Sequence, residues 1–252
     1  GADGPVAVAG GRTHWGVGGD LRPGTREVAA PAGVSEYDPA EMVVRCGAGT
    51  TVADLHATVG AGGQMTALPE HVGATVGGVL AVGRSDMRRL RLGPLRDALL
   101  EARFVTAEGK LVKAGGPVVK NVTGFDLCRL LVGSLGTIGL IGEVVLRCLP
   151  TPKASQWFAA AGADPFAVRD RLFRPSTILW DGYSTWVLLE GSAADVMAER
   201  TGLPVGFREV EGPPELPVGG RRSTRPSQLR DLTGTFVAEI GVGIVHTAEA
   251  VE

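Results

Sequence analysis

Pro5-Val6-Ala7-Val8-Ala9-Gly10-Gly11-Arg12-Thr13-His14-Trp15-Gly16-Val17-Gly18-Gly19 is the stretch on which the fold turns. Residues 5–9 read as a short buried strand, and the chain passes from it straight into a loop dominated by glycine. So much glycine after a strand marks a place where the main chain approaches something closely. With no Cβ at Gly10 and Gly11, backbone N–H groups can converge on an anion, and the Thr13 hydroxyl adds a donor. Gly10, Gly11, Arg12 and Thr13 therefore suit a pyrophosphate, with a plain tight turn as the competing reading. The loop is not Gly-x-Gly-x-x-Gly with an acidic residue about twenty positions on, and no Gly-Lys-Thr/Ser occurs, so it matches neither a Rossmann turn nor a P-loop.

Working outward, the recipe recurs. Met42 to Cys46 reads as a strand, and Gly47-Ala48-Gly49-Thr50 leads into a helix on which Val52, Leu55 and Val59 share a face. Thr50 or Thr51 is the expected N-cap, with Asp54 placed to favour the helix dipole. After Leu68-Pro69-Glu70-His71 comes a second glycine-rich loop, Gly73-Ala74-Thr75-Val76-Gly77-Gly78-Val79. Residues 98–106 and 110–114 flank Ala107-Glu108-Gly109 as a hairpin. Leu127, Leu130 and Leu131 predict a helix ending near Gly133, which opens the third cluster, Gly133-Ser134-Leu135-Gly136-Thr137-Ile138-Gly139. Residues 138–149 form an apolar, β-branched run read as one or two strands. Three backbone cradles can line one long cofactor with a diphosphate in its middle.

Pro150-Thr151-Pro152 is the expected domain boundary, which divides the chain into residues 1–150 and 151–252. Beyond it, strands at 155–160, 178–180 and 185–189 alternate with helices at 165–173 and 193–201, a small α+β unit. Residues 212–226, rich in Pro, Gly and Arg, read as a surface loop.

Composition narrows the function classes. The chain has 252 residues, 44% hydrophobic and 21% charged, with 38 Gly and only 5% aromatics, which excludes a disordered chain and again favours main-chain contacts. A net charge of −2 offers no broad attraction to nucleic acid, and no apolar run approaches the roughly 20 residues of a membrane span. The N-terminus lacks the pattern of a signal peptide, so a cytoplasmic protein is expected, or one held at the inner membrane face by a partner. Cys46, Cys128 and Cys148 are widely spaced and sit in apolar runs, as buried thiols do, so neither a metal site nor an iron–sulfur cluster is expected.

The string Val119-Lys120-Asn121-Val122-Thr123-Gly124-Phe125-Asp126-Leu127, continuing through Arg129-Leu130, the third glycine cluster and Glu143, resembles the FAD-binding oxidoreductases of the vanillyl-alcohol-oxidase/p-cresol-methylhydroxylase type. Leu135, where most members carry Glu, makes it most similar to the FAD-binding E subunits of glycolate oxidases. The likeness spans about residues 5–150 and rests on four separated motifs in order. It implies a two-subdomain α+β FAD-binding domain followed by a small α+β cap, incomplete here because the usual first helix and returning C-terminal segment are absent from the sequence. It further implies that Gly10, Gly11, Arg12, Thr13 and His14 hold the FAD pyrophosphate. Gly73, Ala74, Thr75, Gly77 and Gly78 would run along the pyrophosphate and ribityl chain, with Pro69 beside the flavin. Gly136, Thr137, Gly139 and Ile141 would lie near the adenine half. A side chain at Gly77 is expected to occupy cofactor space. Arg12 stands where some relatives carry a flavin-linked His, so the FAD is expected to be non-covalent.

The resemblance also implies a role: the flavin subunit of a 2-hydroxy-acid dehydrogenase complex, with a sister flavin subunit, an iron–sulfur subunit and a small hydroxy-acid substrate as partners. The alternatives are a stand-alone FAD-dependent oxidoreductase and a non-catalytic FAD-binding scaffold. Oxidising a hydroxy acid calls for a base and a cation for the carboxylate. His246 and Arg222, with Arg221 and Arg225 nearby, are the catalytic candidates of the second region, against readings as a strand-end residue and solvated loop charges; His56 and His71 rank below them.

Overall fold

The computed structural model describes residues 4–116 and 126–249, so Val119 to Phe125 of the family-like string lie outside the described residues. The chain forms two compact units, residues 1–86 with 93–151, and residues 87–92 with 152–252. A contiguous boundary at residue 150 leaves out the short excursion 87–92, which clusters with later sequence.

In the first unit, β1 (Val6–Val8) pairs in parallel with β2 (Arg26–Val28). There follow β3 (Val34–Asp38), β4 (Val43–Gly47), α1 (Val52–Ala61), β5 (Gln64–Met65) and α2 (Val76–Val82). After α3 (Arg89–Leu92), which belongs to the second unit, come β6 (Leu99–Thr106), β7 (Leu111–Gly115), α4 (Leu127–Leu131), β8 (Gly139–Arg147) and β9 (Leu149–Pro150). The main sheet is antiparallel with order β3-β4-β8-β6-β7. One face, through Val44, Cys46, Ala102, Phe104, Val144 and Leu146, meets the apolar sides of α1, α2 and α4 in one core. On α1 the buried residues are Val52, Leu55 and Val59, and Thr51 is the N-cap, accepting from the Asp54 N–H. Burial of this kind makes Leu55→Ala worth about 2–5 kcal/mol. Beside the core, buried Glu101 is neutralised by Arg45 at 2.9 Å and Lys113 at 3.1 Å.

Two local expectations are corrected. Residues 73–79 do not form a loop throughout: α2 begins at Val76 in spite of Gly77 and Gly78, because Val76, Val79 and Leu80 bury one stripe and the Thr75 hydroxyl caps the start at Gly78 N–H. Packing overrides the propensity cost of two glycines, about 1 kcal/mol each. Strand β1 is not buried: Val6 and Val8 are 45% and 39% exposed.

The second unit contains β10 (Ala154–Ala161), α5 (Pro165–Arg171), β11 (Thr177–Trp180), β12 (Ser184–Gly191), α6 (Ala193–Thr201), β13 (Arg208–Val210), β14 (Gly220–Ser223), β15 (Phe236–Glu239) and β16 (Ile244–Thr247). Its antiparallel sheet has the order β13-β10-β12-β11-β15-β16-β14. Phe158, Ile178, Val187, Phe236, Ala238 and Val245 point to one face and pack against Val168 of α5 and Val196 of α6. Asp164 caps α5, and a Ser192–Asp195 capping box starts α6. Residues 87–92 join this unit through Thr177 Oγ1 donating to the Met87 carbonyl at 3.0 Å and Arg91 donating to the Glu190 carbonyl at 2.6 Å. The expected loop over 212–226 holds a strand, β14, because Arg221 and Arg222 pair with His246 and Val245.

Candidate functional site

Helix α2 is the element around which three glycine clusters assemble. At its start, Val52 N–H donates to the Ala74 carbonyl, Val76 N–H to Thr50, and Gly77 N–H to Ala48, which clamps residues 74–77 onto 48–52. At its end, Gly133 N–H donates to Leu80 and Leu135 N–H to Ala81, which hangs the third cluster on the last turn. The first loop presses against the segment leading into α2: a Cβ on Gly11 would overlap the Gly73 carbonyl oxygen, and one on Gly10 the Thr75 hydroxyl. These glycines are required by main chain packed on main chain.

The three clusters enclose a cleft of ≈ 370 Å³, within the range of small-molecule sites. Gly10, Gly11, Arg12, Thr13, His14, Thr75, Gly77, Gly78, Gly136, Thr137, Gly139 and Ile141 all line it. Pro69, Gly73 and Ala74 do not: Pro69 and Ala74 are buried, and Gly73, at φ +76°, makes the turn that delivers Ala74. The walls also include residues that sequence reasoning missed, among them Val6, Val8, Val17, Leu21, Ala48, Ala81 and Leu135. Val6, Val8, Val17, Leu21 and Leu135 belong to the exposed large hydrophobics, so the cleft offers apolar surface that a flat ring system would cover. The signal in the sequence was the apolar strand 6–8, which was assigned to a core.

Charge is arranged with one sign. No Asp or Glu lines the cleft among the described residues, and its titratable side chains are Arg12 and His14. Arg12, itself at φ +56°, turns its guanidinium to an ion pair with Glu27 and lies 4.6 Å from the centre of the Trp15 ring, so its side chain props the turn Trp15–Gly18. The His14 ring stands 5.7 Å from His71, edge to face, with Thr13 Oγ1 at 3.2 Å from Nδ1. Burial, then the nearby Arg84 guanidinium and His71, push the His14 pKa below its ordinary 6.5. Leu135 at φ +52° holds an unusual left-handed backbone for a branched residue, next to Gly136 at φ +76°, whose absent Cβ would meet nothing within 4 Å. Backbone amides, small side chains and no carboxylate fit a dinucleotide cofactor with a diphosphate.

Gly77 needs a corrected explanation. Its Cβ would lie 2.9 Å from Ala48 Cβ and 3.0 Å from the Ala48 carbonyl oxygen, so a larger residue there strikes the protein before it reaches any guest.

The catalytic candidates sit in the second unit. His246 Nε2 lies 3.0 Å from Oε1 of buried Glu239, with Arg221 at 4.0 Å, whereas Arg222 is exposed on β14. His246 is thereby a strand residue engaged with a carboxylate. His56 bridges Glu70 and Thr66 at 3.1 and 3.0 Å, a structural arrangement. The cysteines are buried thiols, pushed up by burial to about 12 for Cys46 and about 11 for Cys128 and Cys148.

Comparison with known proteins gives a consistent outcome. Residues 2–115 match the family model described as FAD binding domain. The glycolate oxidase subunit GlcE of Escherichia coli is 34% identical over 217 residues, 82% of this chain and 61% of that protein. A D-lactate dehydrogenase of Archaeoglobus fulgidus is 36% identical over 118 residues, 46% of this chain and 26% of its own length. The chain thus spans less than two thirds of these relatives. An alkyldihydroxyacetonephosphate synthase structure shares the fold at a TM-score of 0.64 and 18% identity, over 78% of this chain and 44% of that one.

Proposed function

We propose that this chain, whose residues 2–115 match the FAD binding domain family and which has the glycolate oxidase subunit GlcE among its relatives, is the FAD-carrying subunit of a 2-hydroxy-acid dehydrogenase complex of the vanillyl-alcohol-oxidase/p-cresol-methylhydroxylase type. The observation that carries this reading is the meeting of three separated glycine clusters on one cleft with no carboxylate in its walls. The main-chain amides of Gly10 to Thr13 and the Thr75–Gly78 turn would hold the diphosphate, and the open backbone at Gly136 to Gly139 the adenosine side. Val6, Val8, Val17, Leu21 and Leu135 would bury the rings and keep water from them. FAD supplies hydride acceptance and onward electron transfer. Arg12 stands at the position where a flavin-linked His would be needed and its guanidinium offers no such link, which supports non-covalent FAD.

Glycolate or a similar short 2-hydroxy acid is the proposed substrate class, by analogy with the named relatives. A sister flavin subunit and an iron–sulfur subunit are the proposed partners: the buried, raised-pKa thiols of this chain are unsuited to ligating a cluster. Among the described residues no helix is long and apolar enough to cross a membrane; peripheral association at the inner membrane face through a partner belongs to the proposed role.

The test is an absorbance spectrum from about 300 to 550 nm before and after acid precipitation. Flavin bands that leave with the supernatant support the reading. A colourless chain that takes up no added FAD overturns it.

A further inference from the structure

The turn that precedes α2 is held in place by something other than burial. Residues 70–73 are all exposed, Val72 fully so, although Thr66 to Pro69 before them and Ala74 to Val76 after them are buried. Among the described residues the side chains of this turn have two partners: Glu70 meets His56, and the His71 ring meets His14, which lines the cleft. The main chain of the turn also borders the first loop, since the Gly73 carbonyl oxygen is what a Cβ on Gly11 would strike. Helix α1 grips the chain on both sides of the turn. Its first residue, Val52, donates its N–H to the Ala74 carbonyl at 2.9 Å. One helical turn later, His56 Nε2 lies 3.0 Å from Thr66 Oγ1 and Nδ1 lies 3.1 Å from Glu70 Oε2.

The bonds of His56 run in one direction. An ionised carboxylate only accepts, so Nδ1 carries the proton toward Glu70. In the neutral ring Nε2 then accepts from the Thr66 hydroxyl, whose oxygen takes the Leu68 N–H at 3.3 Å. Each donor in the chain from Leu68 through Thr66 and His56 to Glu70 thus has its own acceptor. Thr66 is 1% exposed, so the chain ties the first residue of an exposed turn to the interior of the unit.

We propose that His56 is a positioning residue for the rim of the cleft: through Glu70 it latches residues 70–73 against the first glycine loop, which keeps His71 beside His14 and Gly73 beside Gly11. The consequence for the cofactor rests on the reading of the cleft as an FAD site, because a released turn lets the two loops part and FAD leave. Glu70 is the side chain through which the latch acts, and its required property is an acceptor oxygen for the Nδ1 proton, which glutamine retains and alanine lacks.

The test compares His56→Ala, Glu70→Ala and Glu70→Gln with wild type by two readouts on the full chain. Hydrogen exchange of the cofactor-free chain reports the turn through the Ala74 N–H, which donates to the His71 carbonyl at 2.9 Å, with the β6–β7 hairpin as reference. Dissociation of FAD from the loaded chain is followed by flavin fluorescence. Both alanine variants are expected to exchange about tenfold faster at residues 70–75 with the hairpin unchanged, and to release FAD about tenfold faster. Glu70→Gln is expected to stay within about threefold of wild type in both. Exchange that is unchanged in the alanine variants, or that rises equally in the hairpin, overturns the latch, the second outcome marking a general loss of stability. Local loosening with unchanged FAD release overturns its service to the cofactor, and a Glu70→Gln variant as impaired as Glu70→Ala overturns the hydrogen-bond chain. If the wild type takes up no FAD, the functional reading fails on its own, and the exchange of residues 70–75 still decides whether His56 fixes the turn.

Discussion

The cleft of the first unit and the sheet of the second handle buried polarity in opposite ways. In the second unit each buried carboxylate has a basic side chain beside it: Glu190 accepts from Arg88 at 3.1 Å and Ser155 at 3.2 Å, and Glu239 Oε1 lies 3.0 Å from His246 Nε2. The cleft keeps carboxylates out, exposes apolar side chains and leaves its polar work to main-chain amides. A region that satisfies itself is built for stability, and one that leaves donors and apolar surface open is built for a guest.

The largest effect that sharpens this contrast is expected at Gly11. In Gly11→Val the new side chain meets the Gly73 carbonyl, so the first loop and the start of α2 must separate. We expect a loss of about 3 kcal/mol in the first unit and no FAD uptake, read by denaturant unfolding and flavin absorbance. Gly109→Ala is the control: in the β6–β7 turn, outside the cleft, it faces open space and carries only the strain of φ +77°, about 1 kcal/mol. Equal outcomes for the two variants would show that the packed and open glycines are not distinct.

Glu239→Ala probes the other region. It leaves His246 and Arg221 without the carboxylate between them, for an expected cost of about 3 kcal/mol in the second unit with FAD retention intact. Three of the four tryptophans, Trp157, Trp180 and Trp186, lie in that unit, so their fluorescence reports the loss. A variant that unfolds normally but loses FAD would break the separation drawn here.

The three cysteines are all in the first unit and buried, with thiols pushed up to about 11 or 12, so thiol labelling at neutral pH requires that unit to open. FAD at a hundred times its Kd should stabilise the unit by about 2.7 kcal/mol and slow labelling about 100-fold. Labelling that ignores FAD would mean that the cofactor does not stabilise the first unit.

How far the sequence could be read follows the same division. Elements whose apolar residues repeat at a fixed period were plain: α1 from Val52, Leu55 and Val59, the β6–β7 hairpin from Gly109 at φ +77°, and most of the second unit. The glycine clusters were visible as clusters, but which glycines face open space and which press on neighbouring backbone depends on contacts such as Gly11 with Gly73. Strand β1 was misread because apolar alternation does not say whether a protein core or a ligand cleft covers it. Helix α2 was missed because its two glycines hide a stripe only three residues wide. The Glu239–His246 pair joins β15 to β16, and Glu239 carried no local signal.

The smallest effect bears on His14. Because burial, Arg84 and His71 lower its folded pKa, the folded chain binds the proton less tightly than the unfolded chain, whose value is near 6.5. Its contribution is therefore neutral well above pH 6.5 and becomes destabilising as the pH falls below 6.5 toward the depressed folded value, after which it levels off. Subtracting the unfolding profile of His14→Gln from that of wild type should isolate this loss. A difference profile that is flat from pH 8 to pH 5 would mean that the imidazole is solvated and that neither burial nor its neighbours bias its protonation.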